Sequence, residues 1–218
     1  MKKTSFYTII IVIFSIICGV ITKDYFWGTI TLICGLLNVY YASIGKIYNY
    51  IFGALFCLLN AYISYLNGLY GIMLLSVIIF FPSQIEGYIR WHKYNGCNVP
   101  IRGFTLKNSI IIVTSCIIGS LLLGLLLTKI PGQKLAFLDS SSNIINLCGI
   151  ILMNLRFKEC WIIWLFNNVF DLAIWIINAT KNTPNSQMML IVSIGYLLIN
   201  IYGLVRWIKF EKSNKKCI

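Results

Sequence analysis

Gln84-Ile-Glu-Gly87-Tyr-Ile-Arg90-Trp91-His-Lys93 and Asn200-Ile-Tyr-Gly203-Leu-Val-Arg206-Trp207-Ile-Lys209 are two versions of one phrase, 116 residues apart. Each closes an apolar run long enough to span a bilayer. The chain therefore reads as a duplicated helical bundle with equivalent helices in its two halves, the plan by which many membrane carriers build a central site.

Composition agrees with that reading. Of 218 residues, 59% are hydrophobic and only 11% charged, against roughly 25% charged in soluble domains. The surplus apolar side chains must face lipid. The net charge of +12 sits at the ends of apolar runs and forms no basic stripe, which excludes a nucleic-acid surface and leaves a topology signal. Eight cysteines (18, 34, 57, 97, 116, 148, 160, 217) are scattered without a C-x-x-C pair, so they read as small apolar fillers and not as a metal or disulfide framework. His92 has no ligand partner near it in sequence. No enzyme signature appears, and neither a metal nor a cofactor is expected.

Runs of about 20 apolar residues cross a core of about 30 Å as helices. Eight are expected, near 5–22, 26–45, 48–66, 69–91, 108–129, 137–156, 159–179 and 187–208. The fold class is thus an all-α integral membrane protein. It comprises an extra N-terminal helix (1–25), a first three-helix repeat (26–93), a loop and inverter helix (94–136), a second three-helix repeat (137–210) and a basic tail (211–218). Fourteen Lys and Arg fall on the face that holds both termini and four on the other, which puts both termini in the cytoplasm. The inverter makes the two repeats parallel, in a three-plus-one-plus-three order.

The polar residues inside the spans are the candidate site. Gln84 and Asn200 are matched amides, and an amide facing lipid would leave its donors unsatisfied; substrate contact and helix–helix adhesion both remain open for them. Trp161, Trp164, Asn168, Asp171 and Trp175 follow steps of three and four, one helical stripe with a carboxylate well inside the membrane. Trp161 and Trp175, nearer the ends, read equally as an aromatic belt. Sliding by 111 matches this stripe to Tyr50, Gly53, Cys57, Asn60 and Ser64, setting Gly53 opposite Trp164. The Arg-Trp-x-Lys endings read as interfacial anchors, Pro82 as a kink, Glu86–Arg90 as a pair along the helix, and Asp139 as an N-cap, with Asn143 and Asn146 continuing its face.

Further runs are Tyr48-Asn49-Tyr50-Ile-Phe-Gly53, Ala61-Tyr62, Gly68-Leu69-Tyr70-Gly71 and Phe80-Phe81-Pro82-x-Gln84-x-x-Gly87 with Trp91. To these add Leu138-Asp139 and Leu152-Met153-x-Leu155-Arg156-x-Lys158-Glu159-x-Trp161-x-x-Trp164 with Asn168. Together they resemble the PnuC family of nicotinamide riboside transporters over about residues 26–210. Cys160 departs from the Gln more usual in that phrase. The resemblance implies a SWEET-like parallel-repeat fold and facilitated diffusion of nicotinamide riboside across the cell (plasma or inner) membrane, with trapping by a cytoplasmic ribosylnicotinamide kinase. A thiamine or other vitamin uniporter of the same fold is the second reading. Expected partners are the vitamin, the bilayer and a further copy of the chain in a homo-oligomer. Carried onto this sequence, the site centres on Trp161, Trp164, Asn168 and Gln84, joined by Asn200, Asp171, Asn60 and Tyr88.

Overall fold

The computed structural model describes residues 2–93, 101–103 and 106–214. Among them the chain is helical throughout, apart from one isolated bridge between Arg102 and Phe157. Helices dominate because a backbone in hydrocarbon must satisfy its own N–H and C=O groups. The eight long helices are α1 (Lys2–Thr22), α2 (Trp27–Ser43), α3 (Tyr48–Leu66), α4 (Tyr70–His92), α5 (Leu106–Leu127), α6 (Ala136–Asn154), α7 (Cys160–Thr180) and α8 (Ser186–Asn214). Seven are long and apolar enough to cross a membrane. The exception is α2, whose 17 residues reach about 25 Å at 1.5 Å per residue. Of the expected inter-repeat segment, residues 94–100 and 104–105 lie outside the described residues, as do 215–218 of the basic tail.

Helix ends follow local rules. The α2 helix stops at Gly45, whose φ of +68° suits a residue without Cβ, and Lys46 N–H then bonds back to Tyr41 O at 2.9 Å. The α6 helix stops in the same way at Arg156 (φ +66°), with Phe157 N–H on Leu152 O at 2.8 Å. Each of these residues lies 111 positions from its counterpart.

Six helices close a ring in the order α2, α3, α4, α6, α7, α8 and back to α2. The α1 helix packs outside it on α2 and α8, and α5 packs on α6. Ile9, Ile13 and Ile17 of α1 and Ile110, Val113, Ile117 and Leu121 of α5 are exposed large apolar residues, as lipid-facing helices require. Inside the α4 helix, residues Ser76–Phe80 form a π turn immediately before Pro82. The missing proline N–H thus falls where the ordinary ladder is already interrupted.

Two sequence readings change. Trp91 and Trp207 are 2% and 1% exposed, with ring centroids 6.1 Å apart; they are core residues and not interfacial anchors. The spacing gave no hint that two helix ends would converge on each other instead of on the headgroups. Asp139 does not cap its own helix. Its carboxylate reaches across to α4, accepting Gly71 N–H (2.9 Å) and Ile72 N–H (2.8 Å), together with Gln133 Nε2 (2.7 Å) and Asn143 Nδ2 (2.6 Å). Glu86 and Arg90 do pair, at 2.6 Å on the exposed surface. Cys18, Cys34, Cys57 and Cys160 are buried fillers, whereas Cys116 of α5 and Cys148 of α6 are in contact, sulfur to sulfur, at 3.2 Å.

Candidate functional site

A cavity of about 110 Å³ lies inside the ring, lined by all six ring helices and by no described residue of α1 or α5. That is room for several waters or part of a small solute. Nine asparagines and Gln84 face it, with Trp164 and Trp175. Asparagine is a poor helix former and a costly guest in lipid, so these side chains are retained where a wet interior can use them.

The α7 wall carries the expected stripe. Trp164 Nε1 donates to Asn146 Oδ1 at 3.1 Å. Asn168 Oδ1 accepts Asn200 Nδ2 at 2.7 Å, and Asn168 Nδ2 donates to Ser193 O at 3.3 Å. Asp171 accepts Ser142 Oγ at 2.5 Å and Asn167 Nδ2 at 2.7 Å, one on each carboxylate oxygen. Opposite, Asn60 Nδ2 reaches Ser76 Oγ at 3.4 Å and Tyr50 Oη donates to Asn154 Oδ1 at 3.2 Å.

Trp164, Asn168, Asp171, Asn200, Gln84 and Asn60 all line this cavity. Trp161 and Tyr88 do not. Trp161 is fully buried in a neighbouring aromatic cluster, and Tyr88 is 38% exposed near the end of α4 with its ring 5.9 Å from His92. Tyr88 lies one turn from Gln84 on α4, but beyond the level of the cavity, with its side chain exposed. Trp175 lines the cavity and is buried, so it is no belt residue. Asn38, Asn49, Asn154, Asn167 and Tyr196 also line it. Reading every asparagine within an apolar run as a candidate would have found the four amides.

Gly53 and Trp164 both line the cavity, and each has a close partner within its own half. A Cβ at Gly53 would lie 2.5 Å from Asn38 Nδ2, whereas one at Gly149 would lie 2.6 Å from Trp164 Cδ1. Positions 38 and 149 differ by 111, as do 53 and 164. In one half the α2 residue is large and its α3 neighbour is glycine; in the other half α6 supplies the glycine and α7 the tryptophan. The exchange places a broad indole on one wall only.

Beneath the cavity, toward the end that carries Arg90, Arg206 and Arg156, aromatic rings close the ring of helices. Tyr50 meets Trp91 edge-on at 5.4 Å, and Trp161 meets Trp207 edge-on at 5.6 Å. Trp161 in turn meets Trp164 at 5.3 Å. Gly87 and Gly203 permit this: a Cβ at Gly87 would strike Tyr50, and one at Gly203 would lie 2.6 Å from Trp161 Cε3. Above the cavity a second apolar cluster contains Leu32, Ile63, Leu69, Ile174 and Met188. The Asp139 clamp lies at this opposite end, beside the bond from Asn67 Nδ2 to Pro184 O at 3.0 Å. Packed side chains thus bound the cavity at both ends.

The sequence profile of a family described as nicotinamide mononucleotide transporters matches residues 25–209. A nicotinamide riboside transporter PnuC of Haemophilus influenzae is 30% identical over 196 residues, which cover 88% of this chain and 83% of the relative. One from Neisseria mucosa is 28% identical over 200 residues, covering 88% and 76%. A crystal structure of the vitamin B3 transporter PnuC superposes with a TM-score of 0.84 at 26% identity, covering 98% of this chain and 93% of that one. An amide-lined cavity inside a closed ring of membrane helices is thus found in a chain that belongs to the PnuC family, a family of multi-pass membrane transporters.

Proposed function

We propose that the chain imports nicotinamide riboside by facilitated diffusion through the cavity between its two three-helix units. The observation that carries this reading is the lining itself: amides and indoles, with no Lys, Arg or His among the described residues that face it. Nicotinamide riboside is a flat pyridinium bearing a carboxamide and ribose hydroxyls. Trp164 offers a ring face, and Gln84, Asn60, Asn168 and Asn200 offer donors and acceptors. A mononucleotide would bring a phosphate, for which Arg or Lys is the usual partner; none lines the cavity. This favours the nucleoside, as in the relatives' names, over the nucleotide of the family description.

The two units, α2–α4 and α6–α8, are parallel repeats in this scheme. Matched caps after Tyr41 and Leu152, matched edge-on rings at Tyr50–Trp91 and Trp161–Trp207, and matched glycines at 87 and 203 support that relation. The contact of Trp91 with Trp207 supports placing both phrase ends on one side of the bilayer. The excess of Lys and Arg at that side orients it, and both termini, to the cytoplasm. A cation moving inward gains about 2.3 kcal/mol per 100 mV, so no coupling ion is needed. Phosphorylation by a cytoplasmic ribosylnicotinamide kinase would retain the product.

The test is ligand binding to detergent-purified protein, followed by thermal midpoint and calorimetry. Nicotinamide riboside should stabilise the protein, and the mononucleotide should not. Stronger stabilisation by thiamine would replace the substrate; stabilisation by none of the three would remove the function.

A further inference from the structure

We propose that Asp171 is the counter-charge by which the cavity prefers a cationic ring to a neutral ring of the same shape; this rests on the nicotinamide riboside reading above. Among the described residues that line the cavity, Asp171 alone is a carboxylate, and no cationic side chain is there to neutralise it. The surroundings sharpen the point. The chain carries +12 overall, so an entering cation meets repulsion from the basic helix ends, and within the cavity lining Asp171 is the one full negative charge it meets.

The carboxylate is fixed in place. Ser142 Oγ from α6 holds one oxygen and Asn167 Nδ2, one turn earlier on α7, holds the other. Two of about four acceptor sites are thereby used, and the remainder are free for a ligand hydroxyl or simply to project charge. Asp171 lies seven residues beyond Trp164 on the same stripe, roughly 10 Å along the axis. A ring laid on Trp164 and a ribose directed along α7 would span that distance. Charge acts over such a gap without contact, because a protein interior screens it less than bulk water does.

Bonding between α6 and α7 alone would also explain the Ser142–Asp171 pair, and the experiment separates the two. Asp171→Asn keeps the shape and an acceptor for Ser142. Asn167 Oδ1 is buried without a protein partner, so turning that amide over satisfies the new N–H₂ group. Calorimetry compares nicotinamide riboside with its neutral 1,4-dihydro form on both proteins. The wild type should favour the cation by well over tenfold, part of it from the Trp164 face, and Asp171→Asn should cut that preference by about tenfold while changing the dihydro affinity less than about threefold. Equal loss for both forms would make Asp171 a structural or hydrogen-bonding residue and overturn the proposal. Equal binding of both forms by the wild type would overturn it whatever the variant does. Should the wild type bind neither, the substrate reading fails first, an outcome distinct from the other two.

Discussion

Gly149→Ala tests the site from outside it, because Gly149 does not line the cavity. The added methyl would lie 2.6 Å from Trp164 Cδ1, and its clash with Nε1 is closer still. Ordinary contact begins near 3.5 Å, so the indole must retreat by about 1 Å. The free direction is the cavity, since Trp161 stands at the ring's edge. That movement stretches the 3.1 Å bond to Asn146 beyond useful length, at about 1–3 kcal/mol of stability. A ligand on Trp164 meets a displaced surface. A ring contact of about 0.5–1.5 kcal/mol and a cation–π attraction of about 2 kcal/mol would each lose about a quarter to a half of their value to a misfit of that size. The sum is about 0.6–1.8 kcal/mol, or roughly 3- to 20-fold in Kd.

Calorimetry on wild type, Gly149→Ala, Trp164→Phe and the double variant reads this directly. Phe lacks the five-membered ring that meets position 149, so the double variant should bind no worse than Trp164→Phe alone. Strictly additive losses, or a Gly149→Ala affinity within about twofold of wild type, would show that the seat of Trp164 does not govern binding.

Asp139→Ala should lower the thermal midpoint sharply, because two backbone N–H groups of α4 and two side-chain amides lose one shared acceptor; an unchanged midpoint refutes the clamp. Trp207→Ala should cost about 3–5 kcal/mol as a buried-core truncation with unchanged topology by accessibility labelling. A normal midpoint with disturbed insertion would restore the anchor reading. Copper–phenanthroline should join Cys116 to Cys148 in situ while uptake persists, since α5 packs mainly on α6. Uptake lost on oxidation, and protected by Cys116→Ser, would show that these helices must part.

The eight long helices and the α7 stripe were legible because each leaves a periodic mark in the chain. The partners of Trp91, Trp161 and Trp207 were not. A tryptophan near a helix end satisfies the belt pattern whether it meets headgroups or another tryptophan, and only the glycines at 87 and 203 hinted at close approach. Asp139 misled for a similar reason. A carboxylate in a first turn fits its own helix N-terminus, and nothing local says that the first turn of α4 lies nearer. The exchange of large for small between positions 38/53 and 149/164 needed two registers at once, and the sequence supplied only one of them with an anchor.

The two closures of the cavity differ in chemistry, and that difference ranks the effort of opening each. At the Asp139 end, separation strips hydrogen bonds from backbone N–H groups and amides that hydrocarbon cannot satisfy. At the Trp91–Trp207 end it parts ring faces and the 3.3 Å bond from Trp207 Nε1 to Ala42 O, while the indole N–H groups of Trp91 and Trp161, buried without a protein partner, would gain water. Lost ring contacts of about 0.5–1.5 kcal/mol per pair are thus partly offset at one end, whereas an unsatisfied donor costs about 1–3 kcal/mol at the other. Per contact broken, parting the rings costs no more than breaking the amide and backbone bonds of the Asp139 end.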